Sequence, residues 1–465
     1  MINEQIFFAS NPWHKGAWHL EPILVPRAIA PTLIQRLDGR YIQLITGARR
    51  TGKTILIYQC VNHLLQKEGV HPKNIFYLNF DDLEFRSELK SKPNLLLDII
   101  ELFSGKSLAE HSAPVYLFLD EVQKFPTYFD QIKLYHDTFR PGLRFILSGS
   151  AALEIGSHAA ETFAGRLQQM RIFPFSAKEI FHHHFSELRL PSVLTQLLEE
   201  SFDESALRQL QADLLPLQSQ LRSMWRKMIT AGLLPEVYLT NEEAQKLDYL
   251  RQYRITYLER DIRSLAQVGN LEEFGRLLNL LILQIGNLLN KTGLSNDLGM
   301  AQNTVRKYLS ILEQTFLLEQ IGPYTGHTRK QVVKSSKIFF FDVGFHGLVS
   351  GLATYELLEN SGKIGAVFEN LCLNEIRKAL SLTAQSPEIR FWRTPTGAEV
   401  DFVIETGAHL IPIEVKRSEG YVQADLKNLL KFKEANFQKV KNMVLIYNGP
   451  FKYQEGVVFL PFWLI

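Results

Sequence analysis

The sequence predicts an α/β protein: a parallel sheet near the start, a helical middle, and a second, smaller α/β unit at the end. Three observations carry this. From about Tyr41 to Ser176, near-continuous apolar runs of strand length alternate with segments of helical period, the pattern of a parallel sheet covered on both faces. From about Ala177 to Asp261 the strand-like runs stop and Leu-rich, charge-flanked segments of helical period take over. After Gly365 a helix is followed by closely spaced strand patterns and one more helix.

In the first region the expected strands are Tyr41–Thr46, Ile75–Phe80, Val115–Asp120, Arg144–Leu147 and Gln169–Phe173. A second helical block from Leu271 to Asp342 closes on two strand-like runs, Phe316–Ile321 and Lys337–Phe341. In the last region a helix at Gly365–Leu380 precedes strands at Ile389–Arg393, Glu399–Ile404 and Leu410–Val415, a helix near Tyr421–Ala435 and a strand at Lys441–Ile446. A chain of 465 residues is too long for one core.

Composition narrows the class. With 46% hydrophobic and 22% charged residues the chain is ordinary for a globular protein, and a net charge of +2 favours no partner. The two cysteines, Cys60 and Cys372, lie far apart in apolar helical contexts, which argues against a disulfide framework or a zinc site. The opening MINEQIFFAS lacks the basic start and apolar run of a secretory signal. The most apolar stretch, Leu277–Leu289, is short and interrupted by Asn279, Gln284 and Asn287, so no membrane span is expected. A cytoplasmic location is the expectation.

The segment Gly47-Ala48-Arg49-Arg50-Thr51-Gly52-Lys53-Thr54 matches G-x-x-x-x-G-K-[ST] in full, with a strand before it and an amphipathic helix after it. Glycines let the backbone curl so that its N–H groups face the phosphates of ATP. Lys53 adds a point charge, the helix start its dipole, and the Thr54 hydroxyl a ligand for Mg²⁺. The apolar strand Val115–Leu119 ends in Asp120 and Glu121, which places Asp120 to hold the metal and Glu121 to orient the attacking water. Ser148, ending the next strand, is a γ-phosphate sensor or a turn former. Arg166 is a transition-state arginine or a surface ion pair.

Leu288 to Ile321 reads as a helix-turn-helix: a helix carrying Leu288 and Leu289, a second at about Leu294–Leu298, a turn at Gly299 and a third helix from Gln302 to Leu312. Val305, Tyr308, Leu309 and Leu312 share one face of that helix. Gln302, Asn303, Arg306 and Lys307 are then outward, residue types that reach base edges and phosphates of DNA. The strands that follow, with Arg329, Lys330, Lys334 and Lys337 between and beside them, read as a basic wing. The alternative is a module used for packing or subunit contacts.

In Glu399-Val-Asp401 and Glu414-Val-Lys416 the charged residues alternate, so each pair shares a strand face. If the two strands pair as a hairpin, Asp401 and Glu414 approach closely enough to hold Mg²⁺, with Lys416 beside them and Glu369 as a third carboxylate from the preceding helix. The alternative is an amphipathic hairpin with a solvated ion pair.

Taken together, GARRTGKT, YLNFDD, LFLDEVQ, LSGS, FAGRL, GLLPE (Gly232–Glu236), YLERDI (Tyr257–Ile262), the helix-turn-helix, KIFFFDVG and AEVDFVIE…IPIEVK resemble the bacterial and archaeal AAA-type ATPases that end in a domain of the PD-(D/E)xK nuclease type. The resemblance covers nearly all of the chain after residue 25. It implies an N-terminal extension (1–30), a P-loop core (31–176), a helical lid (177–262), a winged helix (263–344) and a nuclease-like end (345–465). Lys53, Thr54, Asp120 and Glu121 match its ATPase positions; Glu369, Asp401, Glu414 and Lys416 match its nuclease positions. Phe163 stands where leucine is usual, and Val400 where the proline of the nuclease pattern would be. The function this implies is an ATPase that binds DNA and cuts or processes it. A nucleotide switch whose end only binds nucleic acid or protein is the competing expectation. A homo-oligomer would allow Arg166 to act on a neighbouring subunit.

Overall fold

The computed structural model describes residues 3–20, 25–150, 161–257, 262, 270–326, 335–383, 387–407 and 409–465. They divide into two compact units, Met1–Phe173 with Gln314–Phe316, and Pro174–Glu313 with Leu317–Ile465.

The first unit is built on five parallel strands, β1 (Ile42–Thr46), β2 (Ile75–Asn79), β3 (Val115–Asp120), β4 (Leu143–Gly149) and β5 (Leu167–Arg171), in the order β2-β3-β4-β1-β5. Each lies within two residues of the strand expected from its apolar run. Two apolar clusters flank the sheet. Leu56, Ile57, Cys60 and Val61 of helix Lys53–Gln66 belong to one; Leu96, Ile99 and Ile132 of helices Leu95–Ser104 and Phe129–Phe139 belong to the other. Burial on both faces explains why β3 reads as a continuous apolar run up to Asp120 rather than an alternating one.

The segment before residue 30 covers a sheet edge. Strand β2 is outermost, and its backbone would otherwise stand unpaired. Asn11 pairs with Tyr77 as a neighbouring strand residue would, accepting from Tyr77 N at 2.6 Å and donating to Tyr77 O at 2.9 Å. Trp13 Nε1 donates to Ile75 O at 2.8 Å, and Trp13 is fully buried.

The second unit begins with helices, among them Ala177–His184, Gln218–Ala231 and Glu243–Thr256. Three more follow, Leu271–Leu283, Lys291–Leu298 and Gln302–Gln314, and then an antiparallel pair, β6 (Leu318–Ile321) and β7 (Lys337–Phe340). The second and third helices and the turn at Gly299 fall where the sequence placed them, with one correction to the first. Leu288 and Leu289 are not helical: the preceding helix ends at Leu283, Gly286 turns the chain at φ +76°, and Leu288 bridges Lys337 as a third strand would. The basic wing residues Arg329, Lys330 and Lys334 lie outside the described residues, as does the middle of YLERDI.

The chain ends in helix Ile364–Ser381 and six mixed strands, β8 (Glu388–Arg393), β9 (Glu399–Glu405), β10 (Leu410–Val415), β11 (Met443–Tyr447), β12 (Lys452–Gln454) and β13 (Val457–Pro461), with helix Gln423–Ala435 between β10 and β11. Their order is β12-β13-β11-β10-β9-β8. Sequence reading missed the last two strands; the run Val457-Val-Phe-Leu460 after the turn at Gly456 was the available signal.

Two of the sequence segments that carry the resemblance form one structural joint. Asp342 of KIFFFDVG is buried, and its carboxylate accepts from Leu233 N at 2.7 Å and Gly344 N at 2.9 Å. A Cβ on Gly232 of GLLPE would lie 1.9 Å from Asp342 Oδ1, so only glycine fits there.

Candidate functional site

Strand β1 runs into the phosphate loop at its carboxyl end, and helix Lys53–Gln66 leaves it. Gly47 cannot carry a side chain, because a Cβ there would lie 2.3 Å from Ile172 O. Arg50 and Gly52 both adopt left-handed backbone (φ 59° and 96°), giving the loop the curl that turns N–H groups inward. Lys53 is buried, and its ammonium donates to the carbonyls of Gly47 and Ala48, each at 3.0 Å. Arg27, which sequence reading passed over, clamps the loop from outside: it donates to Thr51 O at 2.6 Å and Phe173 O at 2.7 Å.

Asp120 ends β3 beside the loop, as expected. Its Oδ2 accepts from the Thr54 hydroxyl at 2.9 Å and the Tyr77 hydroxyl at 2.8 Å; its Oδ1 accepts from the Ser148 hydroxyl and from Glu121 N at 3.0 Å. Ser148 is therefore at the site, with its hydroxyl turned to Asp120. Tyr77 was missed, although its place in YLNFDD, next to β3 in the sheet, was the signal.

Glu121 sits at φ 55°, a region a glutamate rarely enters, and such backbone concentrates at functional sites. Its Oε2 accepts from Gln123 and, at 3.0 Å, from the Ser150 hydroxyl. Burial pushes its pKa up, but Lys53, the Gln123 hydrogen bond and Arg49 outweigh that and hold it below the ordinary value. Glu121 is thus a half-buried carboxylate held toward its ionised form.

Arg166 forms the second of its two expected arrangements, a surface ion pair. It precedes β5, and its carbonyl accepts from Ile42 N at 2.8 Å, where β1 begins; the phosphate loop lies beyond Thr46, where β1 ends. The length of β1, about 17 Å at the usual rise, separates the two. Its side chain pairs with Asp137 at 2.7 Å on the surface. Arg166 does not reach the phosphate site of its own chain.

In the second unit, Gln302, Asn303, Arg306 and Lys307 are all exposed on helix Gln302–Gln314, while Val305, Tyr308, Leu309 and Leu312 are buried. Gln302 also reaches the Thr292 hydroxyl at 3.3 Å.

Strands β9 and β10 do pair antiparallel, with Phe402 opposite Ile413. The next residues outward, Asp401 and Glu414, meet at the site: Asp401 Oδ2 accepts Val415 N at 2.8 Å, and Lys416 Nζ donates to Glu414 Oε1 at 2.8 Å. Glu414 Oε2 is buried and has no hydrogen-bond partner. Burial, then the charge of Asp401, pushes the Glu414 carboxyl up to about 8 despite Lys416. Asp401 is raised as well, chiefly by burial.

Glu369, expected as a third carboxylate of the metal site, is paired with a lysine. Its Oε1 is held by Lys337 of β7 at 2.9 Å, and the same ammonium bonds Glu399 and lies 3.8 Å from Asp401 Oδ1. Among the described residues, no group of three or more His, Cys, Asp or Glu side chains is disposed to hold a metal ion. Sequence reading placed Lys337 on the wing; nothing local in sequence links it to residues 32 to 64 positions later.

The parallel sheet, the loop between β1 and its helix, and the acid pair ending β3 define a P-loop fold of the AAA type. Residues 39–181 match a family model described as an AAA domain, which supports an AAA-type P-loop ATPase. Two further models match, each described as a domain of unknown function: DUF8612 over residues 222–356 and DUF4143 over residues 364–465. Similar proteins include uncharacterized proteins of Mycobacterium tuberculosis (24% identical over 85% of this chain and 75% of the relative), Haemophilus influenzae (23%, over 88% and 90%) and Methanocaldococcus jannaschii (22%, over 89% and 83%). Among solved structures, a chain of Drosophila ORC bound to DNA aligns with 31% of this chain and 88% of its own (13% identity, TM-score 0.23). A chain of Drosophila ORC bound to AT-rich DNA and Cdc6 aligns with 77% and 95% (11% identity, TM-score 0.22). Among the described residues no helix is long and apolar enough to cross a membrane.

Proposed function

We propose that this chain binds and hydrolyses ATP in its first unit, binds DNA through helix Gln302–Gln314, and cuts or processes DNA at the C-terminal carboxylates. On this reading residues 31–176 are the ATPase core, 177–262 a lid, 263–344 a winged helix and 345–465 a nuclease-like domain. For ATP, the chain's own groups have separable tasks. The loop N–H groups and Lys53 bind the phosphates, Thr54 and Asp120 hold Mg²⁺, and Glu121 orients the attacking water. The hydroxyls on Asp120 suit that task, since each is a neutral donor that can turn to a new acceptor when a metal takes the carboxylate.

The observation that carries the DNA-cutting reading is the buried, partnerless Glu414 Oε2 beside Asp401 and Lys416. An unsatisfied buried polar atom costs about 1–3 kcal/mol, more when charged, so its retention needs a reason. A divalent cation supplies one. Asp401 and Glu414 would hold Mg²⁺, an ion often bound through only one or two carboxylates plus substrate phosphate. Bound there, it would polarise the scissile phosphate and acidify a water. Lys416 is placed to hold that water or to meet charge developing on the phosphate.

A second reading is favoured by Lys337: with Glu369 and Glu399 committed to an ammonium, the end domain serves only to bind, and ATP operates a switch. The test is cleavage of single-stranded, duplex and branched DNA with and without Mg²⁺ and ATP, using Asp401→Ala and Lys416→Ala as controls. Metal-dependent cutting lost in both variants supports the enzyme. No cutting, with ATP turnover and DNA binding intact, selects the switch.

A further inference from the structure

A lysine buried among carboxylates calls for an explanation of its own. Lys337 is 4% exposed, and it contacts Glu369, Glu399 and Asp401, which come from helix Ile364–Ser381 and strand β9. Burying an ammonium is expensive unless opposite charges and hydrogen bonds compensate, and here three carboxylates do so.

The placement is fixed by the fold rather than by the lysine alone. Asn370, next to Glu369, donates to Phe340 O and accepts from Phe340 N, both at 2.7 Å, so the helix docks on β7 through a strand-like pair of bonds. Arg377, two turns further along, pairs with Glu319 on β6. Gly286 packs against the other side of Glu369, where a Cβ would lie 3.5 Å from Oε2. These contacts hold Glu369 against Lys337.

The carboxylates thus fall into two sets. Glu369 is held by Lys337, and Glu399 is shared between Lys337 through Oε1 and Arg393 through Oε2 at 3.4 Å. Glu414 faces Lys416 with one oxygen and has the other unpartnered, and Asp401 stands between the sets. We propose that Lys337 is a permanent internal cation of the C-terminal site: it takes the place a ligand set of Glu369, Glu399 and Asp401 would offer to a metal, and leaves Asp401 and Glu414 to bind a single divalent, oxygen-preferring cation. The site then spans the segments matched by the two domain models of unknown function, with Lys337 from one and its carboxylates from the other. This rests on the reading that Asp401 and Glu414 bind metal, and it makes Glu369 a positioning residue for Lys337, not a metal ligand.

The experiment is Mn²⁺ binding to the nucleotide-free full-length chain, followed by calorimetry and by the electron-spin resonance of free Mn²⁺. The expected result is one Mn²⁺ per chain. Glu414→Gln weakens it by at least about tenfold, whereas Glu369→Gln leaves affinity within about threefold, because the removed charge belonged to the lysine. Lys337→Met, by releasing Glu369 Oε1 and Glu399 Oε1 while Arg393 keeps the other oxygen of Glu399, admits a second Mn²⁺, and Lys337→Arg does not. Should Lys337→Met fail to fold, the two glutamine variants still decide. Loss of binding in Glu369→Gln as large as in Glu414→Gln, or two Mn²⁺ in the unaltered chain, overturns the assignment of Lys337 while keeping the metal reading. No Mn²⁺ in either the unaltered chain or Lys337→Met overturns both.

Discussion

Asp120 and Glu414 are both buried carboxylates near strand ends, yet their surroundings differ in kind. Asp120 is ringed by neutral donors: the fixed backbone N–H of Glu121 and the hydroxyls of Thr54, Tyr77 and Ser148, which can turn away. Glu414 has one oxygen on a lysine and one with no partner, and its neighbour Asp401 lies 3.8 Å from a second, buried lysine. Hydroxyls and ammonium groups prepare a carboxylate for different events. A hydroxyl can rotate and become a metal ligand or accept a bond; an ammonium has only donors, so it competes with a metal or stays as a fixed counter-charge. The first arrangement suits a site that takes up and releases Mg²⁺ with each nucleotide. The second suits a site whose charge balance is set once, on folding.

This contrast can be broken in several ways. The largest effect is expected at Glu121→Gln, which keeps the shape and removes the charge proposed to orient water. ATP turnover should fall by about 10²-fold or more with nucleotide affinity little changed, and any ATP-independent DNA cutting should persist. Loss of both activities together would show that the two sites are not separable. Next is the double change Arg306→Ala with Lys307→Ala. DNA affinity should fall by about tenfold, and the salt dependence of binding should become shallower by about two phosphate contacts. An unchanged salt slope would place DNA binding, if any, elsewhere.

A smaller effect is expected at Tyr77→Phe, which deletes one donor to Asp120 and leaves Thr54 and Ser148. The Mg²⁺ concentration that half-saturates ATP turnover should shift by only a few-fold, since a hydroxyl satisfying an exchangeable acceptor contributes about 1 kcal/mol. A shift beyond about tenfold would mean that Tyr77 acts on the metal or nucleotide directly.

The smallest concerns Asp342, a buried carboxylate used only for structure. Burial pushes its pKa up to about 6 against an ordinary 3.8, in spite of its backbone donors. The folded chain then holds a proton that the unfolded chain has released, so the contribution is full below about 3.8 and is lost as pH rises through about 6. Asp342→Asn should melt below the unaltered protein, and that deficit should shrink by a degree or two between pH 5 and pH 7. A deficit that grows over this range would refute the assignment.

Where a site was legible in the sequence depended on how its residues are distributed. The phosphate loop is eight consecutive residues whose chemistry needs only a strand before and a helix after, and Asp120 with Glu121 follows one apolar run that can only be a buried strand. Alternation along β9 and β10 likewise placed Asp401 beside Glu414, because a hairpin preserves local order. The face of helix Gln302–Gln314 was fixed by its period of 3.6 residues.

What the sequence alone determined, then, was the fold class and those parts of each site that are built from one segment or one hairpin. Tertiary structure decided the rest. Sheet order put Arg166 at the amino end of β5, away from the loop that follows the carboxyl end of β1, and set Tyr77 against Asp120. Docking of helix Ile364–Ser381 on β7 brought Lys337 to Glu369, a pairing that no spacing in the sequence indicates. The physical reason is range. Periodicity and turn chemistry act over a few residues, whereas the partner that neutralises a buried charge is chosen by packing between elements that sequence spacing does not relate.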